Sequence, residues 1–226
     1  MSVLVSTGLA TLGTVAAYLA AGRLYRHTGL AALHPILVTS VLGALVLGPN
    51  PPALEAYLGG SWPLLWALGP ATAALAIPFF QSRAVLAANP LKVLLSVAAG
   101  AAASVATVLL LGVALGVPPE LRRALTVKWV TVPVALPLAA DLGVAPGLVA
   151  CGVVGTGLFG MAVGPAFLTW LGVRRPLPRG LALGTVSHAM GTARALEQDG
   201  PEAGAGGAVA LTLVAVLLSV AVAAFR

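Results

Sequence analysis

Apolar residues run along this chain in blocks too long for a soluble core element, separated by short breaks rich in glycine, proline or charge. A bilayer span needs roughly 20 mainly apolar residues. The pattern predicts spans at 2–22, 29–47, 61–80, 91–117, 147–173 and 203–225. Two segments differ. Residues 127–140 are apolar but short, with Pro133 and Pro137 inside. Residues 181–198 are polar, and 184–197 insert Thr185, Ser187, His188, Thr192 and Arg194 among small residues. At 100° per residue, Ser187, Gly191 and Arg194 fall near one line of a helix, with Thr185, His188 and Thr192 on the adjacent strip. A polar strip at membrane depth is costly and usually marks a pathway or a binding site.

Composition supports the membrane reading. Mean hydropathy is +1.03, with 59% hydrophobic and 8% charged residues. A soluble domain carries about 25% charged residues to cover its surface. The expected fold is therefore an all-α polytopic bundle, one transmembrane domain over residues 1–226, placed in the cell's inner (plasma) membrane. Met1 leads directly into apolar residues with no basic segment, so the first run reads as a span and not as a secretory leader. The net charge of +6 sits in small clusters at span ends, where orientation signals belong, and points to no nucleic-acid role. Cys151 is the single cysteine, inside an apolar run without metal-ligand spacing. No metal or cofactor is expected.

Basic residues also suggest a topology. If 127–140 enters and leaves on one side, eight basic residues fall inside: Arg23, Arg26, Arg83, Lys92, Arg174, Arg175, Arg179 and Arg226. Four, Arg122, Arg123, Lys128 and Arg194, fall outside. That division obeys the positive-inside tendency, and a crossing by 127–140 does not. The expectation is about seven crossings plus one re-entrant segment, with 181–198 counted among the crossings and meeting 127–140 inside the fold.

Three interruptions carry hydroxyl residues: Gly69-Pro70 before Ala71-Thr72, Thr131 before Val132-Pro133, and Gly191-Thr192. Proline suits the first turn of a helix, so Gly69-Pro70 is expected to begin a half-helix. Helix N-termini offer free N–H donors and partial positive charge, which suit a carboxylate. Paired interrupted segments are the best sequence pointer to a carrier site. The candidate binding residues are Pro70, Ala71, Thr72, Lys128, Thr131, Ser187, His188, Gly191, Thr192 and Arg194. Arg194 has two readings, a bidentate carboxylate clamp or an interfacial anchor. His188 is either a proton-coupling group or a neutral core residue. His34, before Pro35, reads as a structural turn residue, and Lys128 as a candidate marking the mouth of its segment. Adjacent residues in a helix point about 100° apart, so Ser187 and His188 form no nucleophile–base pair. With no phosphate loop, zinc spacing or dinucleotide fingerprint, an enzyme is not expected.

Three stretches resemble signatures of the LrgB/CidB family of bacterial membrane proteins, which includes the plastid glycolate/glycerate translocator. Gly69-Pro70-Ala71-Thr72, with Pro78 at the end of its run, is similar to a Gly-Pro-Ala-Thr run. The run from Lys128 to Pro133 is similar to Lys-Ser-Val-Thr-Thr-Pro, with Trp129 and Val132 replacing hydroxyl residues. The run from Ser187 to Arg194 is similar to Ser-His-Gly-x-Gly-Thr-Ala-Arg, with Ala189 replacing glycine. The resemblance spans about residues 29–223. It implies one of two functions: a carrier of small carboxylates such as glycolate, glycerate or pyruvate, or a holin/antiholin-like regulator of murein hydrolases and lysis. It also implies a small LrgA/CidA-type membrane partner. The intramembrane polar residues favour the carrier; a homo-oligomer fits either function.

Overall fold

The computed structural model describes residues 3–30, 33–48, 50–74 and 76–224, all helical or loop. They divide into two compact units, residues 1–71 and 72–226. In the first, α1 (Val3–Thr28) packs on α2 (Pro35–Leu47) and α3 (Pro51–Gly60). Polar side chains tie α1 to α3: Thr14 Oγ1 and Tyr57 Oη share a hydrogen bond at 3.0 Å, and Thr11 Oγ1 donates to Gly60 O at 3.3 Å. His34 caps α2, its Nδ1 accepting from the Ile36 N–H at 3.3 Å, and Tyr25 packs edge-on against its ring. That is the turn role the sequence suggests. The second span begins later than expected, at Pro35, because proline has no N–H to donate to a preceding turn and so suits the first turn of a helix.

Helix α4 (Trp62–Ala74) carries Pro70 inside it. The half-helix expected to start at Gly69-Pro70 is therefore absent; α4 runs on through the proline, as membrane helices tolerate. Short helices α5 (Ala76–Gln81) and α6 (Arg83–Ala88) follow.

Three helices of the second unit are long and apolar enough to cross a membrane: α7 (Pro90–Ala114), α10 (Pro146–Trp170) and α12 (Pro201–Ala224). At about 1.5 Å per residue, each exceeds the ~30 Å hydrocarbon core. Between them lie α8 (Pro119–Thr126), α9 (Val132–Asp141) and α11 (Pro176–Asp199). Proline at N1 or N2 opens α7 through α11, supplying the helical φ where no N–H is needed. The core joins Val93 and Val97 of α7, Val130, Val149 and Val153 near α10, and Val209 and Val214 of α12.

The structure corrects the largest feature of the expected topology. Arg179 and Asp199 stand at opposite ends of α11, yet Arg179 Nε donates to Asp199 Oδ2 at 2.8 Å. On a straight helix, twenty residues of separation would hold them about 30 Å apart. The helix instead turns back at Ser187 (φ −127°, ψ 18°) and His188 (φ 43°, ψ −130°). Residues 181–198 are a helical hairpin, not a single straight helix.

Candidate functional site

The turn of α11 sits against α10, and the sequence makes room for it there. A Cβ on Gly160 would overlap Ser187 Oγ, and one on Gly157 would come within 2.7 Å of His188 Cε1. His188 Nε2 donates to Val153 O at 3.1 Å, which fixes its tautomer. Its backbone has positive φ, unique among the described non-glycine residues. Such a conformation costs on the order of 1–3 kcal/mol and persists only where surroundings enforce it. Here the enforcement is visible: the two arms close behind the turn, Gly191 lying against Leu183 O and the Ser187 side chain. Thr192 Oγ1 donates to His188 O at 2.8 Å, and Thr185 Oγ1 to Leu181 O at 2.7 Å.

Ser187 is 0% exposed, and its Oγ has no protein partner. An unmet buried hydroxyl costs about 1–3 kcal/mol. It lies at the start of the second arm, where the first backbone N–H groups lack acceptors within the helix.

A second hairpin leans on the same part of α10. Both α8 and α9 pack on α10, and Arg123 Nη1 donates to Leu142 O at 3.4 Å, linking the end of α8 to the end of α9. Its turn, 127–131, brings Lys128 Cβ to 3.5 Å from a Cβ built on Gly152, next to the Val153 that holds His188. Lys128 Nζ lies 4.4 Å from the centre of the Trp129 ring, a cation–π distance. Thr131 is the N-cap of α9 without a side-chain capping bond. Its Oγ1 and Trp129 Nε1 are both buried without a protein partner. Trp129, in the place of a hydroxyl residue, thus still presents a donor.

The predicted site residues divide accordingly. Lys128 meets α10 at Gly152, His188 at Val153 and Gly157, and Ser187 at Gly160, while Gly191 and Thr192 close the second arm behind the turn. The expected break at Gly191-Thr192 is corrected to Ser187-His188; Gly191 is helical, and its lack of a side chain lets the arms touch. The hairpin also replaces the single straight strip drawn through Ser187, Gly191 and Arg194. Arg194 stands further along the second arm, paired with Glu197 at 3.6 Å. Pro70 is exposed on α4, and the side chains of Ala71 and Thr72 lie outside the described residues.

Sequence reasoning missed Arg179 and Asp199. Arg179 is 7% exposed; besides Asp199, its Nη1 donates to Thr169 Oγ1 and Val173 O, both at 3.0 Å, and its Nη2 to Pro165 O at 3.4 Å. One guanidinium thus joins both ends of α11 to the end of α10. The signal was an arginine and an aspartate flanking a polar segment, legible only to a reader who already suspected a reversal. No groups of three or more metal-ligating side chains occur among the described residues.

No solved structure matches this chain. Among sequences, it is similar to the protein YxaC of Bacillus subtilis (strain 168), 38% identical over 205 residues, or 90% of this chain and 88% of that one. It is similar also to the antiholin-like protein LrgB of Bacillus mycoides (strain KBAB4) and of Bacillus cereus (strain B4264). Each is 30% identical over 203 residues, 89% of this chain and 88% of the relative. The profile of the LrgB-like family matches residues 14–226. With its long apolar helices and its match over nearly the whole chain, this membrane protein belongs to the LrgB-like family.

Proposed function

We propose that the chain is a carrier of small monocarboxylates, with its anion site between the turns of the two hairpins on α10. One observation carries this reading: Trp129 Nε1, Thr131 Oγ1 and Ser187 Oγ are buried without protein partners at those two turns. Indole N–H can only donate, hydroxyls can donate, and the helix N-termini beside them add further donors. A ligand at either turn must be able to accept, and a carboxylate offers two oxygens with about four lone-pair sites. Lys128 supplies positive charge next to α10, and Arg194 contributes charge from the second arm without direct contact in this state.

In this reading both hairpins are re-entrant and stop near the midplane. The arms of α11, residues 176–186 and 189–199, each reach about 15 Å at a helical rise, half the ~30 Å hydrocarbon core. Irregular backbone at that depth is tolerated only inside protein or beside a water-filled cavity. Movement of a hairpin against α10 would then expose the ligand to one side at a time.

The names of the LrgB relatives favour a second reading, an antiholin-like regulator; a small LrgA-type membrane partner would belong to that reading. Uptake of labelled glycolate, glycerate and pyruvate into proteoliposomes of the purified chain separates the two. The carrier gives saturable, competable uptake that Ser187→Ala weakens; a pore-forming or regulatory protein gives size-limited leakage or no flux.

A further inference from the structure

The best-bonded charged group in the second unit lies away from the hairpin turns. Arg179 stands at the open base of the α11 hairpin, beside a cavity of about 700 Å³ lined also by Thr169, Trp170, Gln198 and Asp199. Its guanidinium meets Asp199 through one nitrogen and one oxygen, not as a two-point fork. The Asp199 side chain keeps 18% of its surface exposed toward solvent, against 8% for Arg179. A buried ion pair gains little net stability, because desolvation offsets most of the attraction, yet removing one partner is costly. Such a pair is readily exchanged for another of the same charge type.

The position of Asp199 permits the exchange. It is the last residue of α11, followed by Gly200 in a glycine-only conformation (φ 83°, ψ −173°) that leads into α12. Its partly exposed side chain can leave Arg179 by a change of rotamer, while Arg179 stays anchored to Thr169, Val173 and Pro165.

We propose that Arg179 is a second carboxylate site, occupied by Asp199 in this state and open to an external small carboxylate when Asp199 swings away. An arriving carboxylate from the cavity takes the place of the Asp199 side chain on the guanidinium. Arg179–Asp199 is then a latch that its own ligand class releases. This goes beyond the carrier reading and does not need it, since the binding event is measurable without flux.

The test is chemical rescue of thermal stability in detergent. In Asp199→Ala, Arg179 loses its partner and the melting temperature falls. Formate or acetate at tens of millimolar should restore much of that loss, while chloride at equal ionic strength should not. Asp199→Asn provides the same comparison with side-chain volume kept, should the alanine variant fold poorly. In Arg179→Ala/Asp199→Ala the rescue should vanish. Rescue that is equal in the double variant, equal with chloride, or absent from both single variants overturns the proposal. Uptake of labelled carboxylates is scored separately, so loss of the carrier reading leaves this result standing.

Discussion

The two hairpins that lean on α10 are closed in opposite ways. The first, α8 to α9, is shut by one exposed hydrogen bond at 3.4 Å from Arg123 to a backbone carbonyl. Its turn is a five-residue loop that ends in an N-cap and a proline. The second, α11, is shut by a buried ion pair at 2.8 Å within a four-bond network, and its turn takes two residues, one of them strained. A loose closure lets a turn relax with little loss. A tight closure holds a strained turn in place and makes its release an all-or-none event.

Substitutions test this contrast most strongly at the bases. Arg179→Ala leaves the part-buried Asp199 unpaired and removes four hydrogen bonds, which should cost about 3–5 kcal/mol and appear as a large fall in melting temperature. Arg123→Ala, the matching change in the first hairpin, should cost no more than about 0.5 kcal/mol. Equal effects would mean the closures are equivalent. Next in size is Gly160→Ala. Its Cβ would overlap Ser187 Oγ, so the turn must move, at about 1–3 kcal/mol for overpacking. Unchanged melting would show that the turn does not press on α10.

Ser187→Ala should leave stability intact or slightly raised, since its hydroxyl has no protein partner to lose. It should weaken carboxylate binding about tenfold, because one hydrogen bond to a charged group is worth about 1.5–3 kcal/mol. Calorimetric titration with glycolate reads this directly; an unchanged affinity removes Ser187 from the site. Smallest is Arg194→Lys. It keeps the charge next to Glu197, so affinity should change less than about fivefold, the range of an exposed ion pair. A larger loss would make Arg194 a direct clamp.

Much of the scaffold is legible from proline alone. Pro90, Pro146 and Pro201 start helices within two residues of the boundaries that hydropathy suggests, because a fixed φ and a missing N–H suit the first turn. Thr131-Val132-Pro133 marks a true helix start for the same reason. Pro70 misleads because proline inside a membrane helix is tolerated, and nothing local distinguishes the two cases. The α11 turn is hidden because neither Ser187 nor His188 is a turn signal. Its conformation is imposed by Gly157 and Gly160 on another helix and by a contact across twenty residues. Gly191 is informative, but its message is close approach of the arms and not a break. The polar residues could be named from the sequence; the packing of Ser187, His188 and Lys128 on α10 could not, since it depends on where the chain turns.

The central claim is that α11 reverses at Ser187-His188, so that both its ends lie on one face of the membrane. Single cysteines placed at the exposed positions Arg174 and Glu202, in a Cys151→Ala background, test it with a membrane-impermeant thiol reagent applied to sealed, oriented vesicles. The account predicts that Arg174→Cys and Glu202→Cys label from the same side and are protected from the other. Labelling from opposite sides would make α11 a crossing helix and would contradict the hairpin, its latch and the shared site on α10.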